Sequence, residues 1–210
     1  MNTVKKYLDE LTKQKSILTN NLNLVGVEAN ATETFNTLIS KIPNVRLNVV
    51  EILNAIISRE GKELVIPDGV SKIGYCAFLE YRNLTSIVLP NSIISIDGDA
   101  FRGCSNLKTV TIPNGVKQIG GWCFHSCIAL EEIEIPKGIT KISEKTFYKC
   151  RGLKSVVFKG VPTSIDTSAF MECTQNDLVI YCPWNKGEVA NAPWGATNAT
   201  IIYNYKESLK

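Results

Sequence analysis

Leu107-Lys108-Thr109-Val110-Thr111-Ile112-Pro113-Asn114-Gly115-Val116 belongs to a unit that recurs every 23 residues. Written in that period, the chain reads LVIPDGVSKIGYCAFLEYRNLTS (64–86), IVLPNSIISIDGDAFRGCSNLKT (87–109), VTIPNGVKQIGGWCFHSCIALEE (110–132) and IEIPKGITKISEKTFYKCRGLKS (133–155). A degenerate fifth unit, VVFKGVPTSIDTSAFMECTQNDL, fills 156–178. Phe78, Phe101, Phe124, Phe147 and Phe170 form one column, and Ile73, Ile96, Ile119, Ile142 and Ile165 another. Cys104, Cys127, Cys150 and Cys173 form a third. A period of this length marks a repeat architecture.

The unit has a physical reading. Apolar residues alternate from Val110 to Ile112, as in a short strand with one buried face. Pro113 follows where a ladder N–H is no longer needed. A turn at Asn114-Gly115 leads to a second extended piece, Val116 to Ile119. Phe124, Cys127 and Leu130 then recur at every third place, which predicts one or two turns of helix. One unit cannot bury its own apolar face, but stacked units can, with strands pairing in parallel at about 4.8 Å. The predicted fold class is a right-handed α/β solenoid of five 23-residue repeats over 64–178.

The unit φ-x-I-P-x-G-V-x-x-I-x-x-x-A-F-x-x-C-x-x-L resembles the BspA-type (treponemal) leucine-rich repeat over residues 64–178. That resemblance implies a recognition scaffold with many possible partners. The tail from Tyr181 to Thr200, with Trp184 and Trp194, is similar to the closing segment of leucine-rich proteins of phages and prophages of Firmicutes. The head, with Leu11-Thr12-Lys13-Gln14-Lys15 and Thr34 to Ile42, resembles the helical leader of phage minor structural and tail proteins.

Domain boundaries follow the pattern. Residues 1–43 read as a small helical domain with apolar stripes Val4-Leu8-Leu11 and Phe35-Leu38-Ile39-Ile42, ended by Pro43. Two such short stripes make a poor core, so they are expected to dock on another virion protein or on a second copy. Residues 44–63 read as an N-terminal cap and 179–210 as a C-terminal cap, which together with the repeats make a second domain over 44–210.

Composition removes several function classes. A net charge of +3 on 23 basic and 20 acidic residues gives no face dense enough to track nucleic acid. No apolar run is long enough to cross a membrane as a helix. Residues 1–16 lack the apolar run of a secretory signal, so the seven cysteines are expected to be free thiols in a reducing compartment.

Chemistry-bearing groups are few. The cysteine column reads as buried small hydrophobes, whereas Cys76 and Cys182 lie outside it and are expected to be exposed. Cys123-x-x-x-Cys127 has a zinc-compatible spacing but lacks the remaining ligands. The single histidine, His125, shares a column with Leu79, Arg102, Tyr148 and Met171, which reads as a solvated position. No phosphate loop, serine elbow or metal-binding helix motif occurs, so neither enzymatic activity nor a cofactor is expected.

The remaining candidate is the outward face of the strands. Counting in steps of 23 places Val65, Val88, Thr111, Glu134, Val157 and Ile180 in one outward column, with Glu132 in the flanking one. The expected function is a non-enzymatic phage virion protein of the tail, baseplate or fibre, made in the bacterial cytoplasm. Residues 1–43 would anchor it to other virion proteins, and the repeat face would bind a host-surface protein or glycan. A head decoration protein, a bacterial cell-surface adhesin and a cytoplasmic interaction scaffold are the alternatives.

Overall fold

The computed structural model of the chain describes residues 62–66, 68–173 and 177–206. The helices expected in 1–43, with Val4, Leu8, Leu11, Phe35, Leu38, Ile39 and Ile42, lie outside the described residues, as does most of the 44–63 cap.

Each repeat is one rung with three sides. The first side carries β1 (Glu63–Val65), β3 (Ser86–Val88), β5 (Thr109–Thr111), β7 (Glu132–Ile135), β9 (Ser155–Phe158), β11 (Val179–Tyr181) and β12 (Thr200–Ile202). All paired strands run parallel, in two ladders, β1-β3-β5 and β7-β9-β11-β12. The second side carries β2 (Lys72–Ile73), β4 (Ser95–Ile96), β6 (Gln118–Ile119), β8 (Lys141–Ile142) and β10 (Ser164–Ile165). Between the two, Pro90, Pro113 and Pro136 each close a turn by accepting the N–H three residues on.

The third side departs from the sequence expectation. No helix occurs among the described residues; the Phe124–Leu130 segment is a run of tight turns. Left-handed residues recur in two columns 23 apart: Cys76, Asp99, Trp122 and Lys145, then Glu80, Gly103, Ser126, Lys149 and Glu172. This reversal every fourth residue sends alternate amides in different directions. Ala77, Leu79 and Tyr81 donate back to the residue three before, which closes the turns. Cys76, Phe78 and Glu80 donate instead to Gly98, Ala100 and Arg102 of the next rung. Successive turns share the three-residue spacing of a short helix, so Phe124, Cys127 and Leu130 still face inward, each fully buried. A helix would satisfy its amides within itself; here half of them join rungs. The architecture is therefore a β-solenoid, and the α component is not seen.

The core is built of columns. The Phe78, Phe101, Phe124, Phe147 and Phe170 rings stack at 5.1, 5.3, 5.5 and 5.1 Å between centroids, within 6° of parallel. These separations lie within the range of about 4.5–7 Å at which aromatic rings attract one another. Beside them, the Sγ of Cys104, Cys127, Cys150 and Cys173 each donates to the carbonyl of the phenylalanine one rung back, at 3.0 to 3.2 Å. That bond gives a reason for cysteine in this column, since alanine would fill less space and bond nothing. Rungs also approach backbone to backbone: a Cβ on Gly120 would lie 2.2 Å from the Gly98 nitrogen.

The last rung closes the stack. Trp184 and Trp194 are buried against Phe158, with ring centroids 5.1 and 6.4 Å away, and the Trp194 indole donates to the Ala190 carbonyl at 2.7 Å.

Phe124→Ala is expected to destabilise the fold by about 3–5 kcal/mol, because a ring stacked on both sides leaves a cavity that neighbouring rungs cannot fill. Thr111→Ala, on an exposed strand position, should stay within about 0.5 kcal/mol of wild type. Urea melts of the two variants test the inward and outward assignment.

Candidate functional site

Two surfaces merit description: the outward face of the first side, and an aromatic and ionic cluster on the turn side. Strand alternation makes the first. Leu64, Ile87, Val110, Ile133, Val156 and Ile180 point inward, and the residues on either side of each point out. Val65 and Val88 are 60% and 57% exposed, and Thr111, Glu132 and Glu134 are also exposed, with Val157 half-buried beside them. Glu134 pairs with Lys159 of the following rung at 3.0 Å, and the neighbouring Glu131 with Lys154 at 3.2 Å.

Ile180 is a correction. It pairs with Val156, not Val157, and is fully buried; Tyr181 takes the outward place opposite Val157. The step from Val156 to Ile180 is 24 residues, so one extra residue in the fifth unit moves every side chain to the opposite face. The alternation of Leu178, Ile180 and Cys182 against Val179 and Tyr181 was the available signal. The same register carries Cys182 inward, contrary to the exposure expected of it. A seventh strand on this side, β12, extends the outward face to Thr200 and Ile202; with a step of only 21 residues from Ile180 to Ile201 it escaped a fixed 23-residue count.

On the turn side, the stacked left-handed turns bring Trp122, His125 and Tyr148 together. The imidazole stacks on Tyr148 and meets Trp122 edge-on, both with centroids 5.1 Å away. Lys145 Nζ sits 4.3 Å above the Trp122 ring and the Arg102 guanidinium 5.3 Å from it. Tyr148 donates to Glu172, and that bond holds the carboxyl below its ordinary range. A groove of about 400 Å³ runs alongside, lined by Glu80, Arg82, Arg102, Ser105, His125 and Ile128. His125 is thus half-buried in an aromatic stack instead of fully solvated, and its buried Nδ1 lacks a hydrogen-bond partner. Burial first, then the Arg102 and Lys149 charges, lower its pKa below the ordinary 6.5.

The pairings required for cysteine chemistry are not assembled. Cys123 and Cys127 point into the core, where burial pushes both thiols well above their ordinary range, whereas the His125 ring turns outward to Ser126 and Tyr148. Burial likewise raises Cys150, and pushes Cys173 and Cys182 up to about 12. Among the described residues, no cluster of three or more His, Cys, Asp or Glu side chains is placed to hold a metal ion. Among the same residues no helix is long and apolar enough to cross a membrane.

The stacked strands, the phenylalanine column and the left-handed turn columns together define a repeat type. The BspA type leucine-rich repeat region matches residues 58–177 in six copies. This chain belongs to that family. Among solved structures, the chain is similar to the pneumococcal vaccine antigen PcpA, with 24% identity and a TM-score of 0.56 over 69% of this chain and 36% of that one. It is also similar to a leucine-rich repeat protein from Eubacterium ventriosum, with 24% identity and a TM-score of 0.50 over 71% and 37%. A leucine-rich repeat protein of T. pallidum is 24% identical over 67% of this chain and 73% of its own, with a TM-score of 0.48. The chain spans little more than a third of the first two, and the likeness to them is one of fold. No curated protein matches it.

Two outcomes follow from these environments. Native protein treated with a thiol reagent near pH 8 should label Cys76 alone, the one cysteine that is not buried, and all seven only in denaturant. Mass spectrometry of the labelled chain reads this directly. His125 acts on stability with a definite sign. Its folded pKa lies below the unfolded value, so its contribution is present above the ordinary 6.5 and is lost as pH falls through the lowered one. The melting temperature of wild type should therefore drop further than that of His125→Phe between about pH 7.5 and about pH 5.5.

Proposed function

We propose that this chain is a non-enzymatic recognition protein that binds a protein partner on the outward face of its first side. The observation that carries this reading is the apolar exposure of Val65 and Val88 next to Thr111, Glu132, Glu134 and Val157 on the outward side of two parallel ladders. A solvated strand face needs no such valines, and their burial under a partner would supply affinity, with the carboxylates setting orientation. The family supports the reading, because repeats of this type form interaction scaffolds. At the C-terminal end, Tyr181 and Tyr205 lie with ring centroids 4.8 Å apart and extend the same face with aromatic surface.

The finer proposal is that the protein is a virion component of a tailed phage or prophage, attached at the tail, baseplate or fibre through residues 1–43. What supports it is the resemblance of the 181–200 segment and of the head to phage structural proteins. A second reading, a bacterial cell-surface adhesin, is favoured by the fold shared with a pneumococcal vaccine antigen.

Fractionation separates the two. The virion reading requires the protein to co-sediment with particles purified from a lysate; recovery in the host cell-envelope fraction alone would sink it in favour of the adhesin. The face is tested on the same material. Val88→Asp should reduce attachment to host cells at least about tenfold while the melting temperature stays within about 2 °C. Unchanged attachment would remove the outward face from the mechanism.

A further inference from the structure

The turn side carries a groove that stacking of the rungs does not require. In the column of left-handed residues Glu80, Gly103, Ser126, Lys149 and Glu172, only Gly103 lacks a side chain. Two places on, in the column Arg82, Ser105, Ile128 and Arg151, the same rung again holds the smallest residue. These two small residues leave a trough one rung wide, with Glu80 and Arg82 on one wall and Ser126 and Ile128 on the other. Its volume of about 400 Å³ lies within the range of small-molecule sites, about 300–1,000 Å³.

The walls hold groups of several kinds. Arg82 is exposed and comes no nearer to Glu80 than 3.8 Å, so its N–H donors are open to a ligand. Arg102 is fixed by Asp99 at 2.9 Å through Nη1 alone, which holds the side chain in place and leaves its other N–H groups available. The Glu80 carboxylate and the Ser105 hydroxyl can accept. Ile128, 48% exposed, and the His125 ring, backed on one face by Tyr148, add apolar surface.

Charge decides the class of ligand. Arg82 faces Glu80 and Arg102 faces Asp99, so these four groups sum to zero. An anion would compete with the two carboxylates for the arginines, and a cation would compete with the arginines. A neutral molecule dense in hydroxyls, each both donor and acceptor, uses both kinds of group without displacing either. Trp122 is not the platform for it, because Lys145 and Arg102 already sit against that ring.

We propose that the trough between Arg82, Arg102 and Ile128 binds an uncharged mono- or disaccharide unit, its hydroxyls on the arginines and Glu80 and its apolar ring face on Ile128 and His125. The trough crosses three rungs, about 10 Å at the strand spacing, which suits a disaccharide. It is separate from the outward strand face, so the two sites can be lost independently.

Saturation-transfer NMR and calorimetry of the full chain, with lactose, cellobiose and N,N′-diacetylchitobiose as probes, read the site. At least one should bind with a Kd on the order of 1 mM, as fits an open groove. Replacing one sugar of that probe by its uronate or amino counterpart should weaken binding at least about tenfold. Ser105→Arg fills the floor with the side chain that Arg82 and Arg151 already place in this column, and should abolish binding with an unchanged melting temperature. Arg82→Gln should weaken it about tenfold. Val88→Asp, on the outward face, should leave it intact. Silence of all three probes overturns the proposal. So does charged-sugar binding as tight as neutral, a Ser105→Arg variant that binds like wild type, or loss of binding in Val88→Asp, which would move the sugar to the outward face.

Discussion

The structure rests on an amide that looks sideways. On the turn side, Phe78, Phe101, Phe124, Phe147 and Phe170 each donate their N–H to the next rung, at 2.7 to 3.0 Å, and Cys76, Asp99 and Trp122 do the same at 3.0 to 3.3 Å. These bonds exist only because a left-handed residue precedes each turn and sends alternate amides along the stack. L-residues adopt that conformation at a cost of about 1–2 kcal/mol each, so it persists only where the neighbouring rung rewards it. Everything else must then hold the same spacing: the strands, the phenylalanine rings and the thiols that bond to the carbonyls of those phenylalanines.

That requirement explains what the sequence made legible. A ladder with one fixed spacing forces each column to keep one type of residue, so Phe, Ile and Cys stand 23 apart and the inward set could be read by counting. The turn side was misread because tight turns and a short helix share a three-residue side-chain spacing; they differ in backbone conformation, and Cys76, Asp99, Trp122 and Lys145 are not residues that announce a positive φ. The face at the C-terminal end was misplaced for a related reason. Counting assumes a constant step, but the steps to Ile180 and Ile201 are 24 and 21 residues, and only the local alternation of apolar residues carries the true register there. The cluster around His125 was hidden because Trp122 and Tyr148 stand in different columns and meet only when rungs stack.

The division between buried columns and free ones also decides where function can lie. Inward positions are committed to stacking. Outward strand positions have no such duty, and the change from valine to threonine to glutamate along Val65, Val88, Thr111 and Glu134 shows that freedom in use. The turn-side surface is less free than it looks: Arg102 is engaged by Asp99 at 2.9 Å and by the Trp122 ring, and Glu172 by Tyr148 and Arg151.

The direction of the inter-rung bonds has a mechanical consequence. They run along the solenoid axis, so a pull applied at its two ends loads the rungs in series, and the weakest junction yields first while the others hold. Each rung that peels away frees 23 residues, roughly 75 Å of extended chain, in exchange for one strand spacing of folded length. A tether of this kind lengthens stepwise under tension before it breaks. A pull across the axis would instead shear several rungs at once and meet far more resistance, so the points at which the protein is gripped would set how it fails.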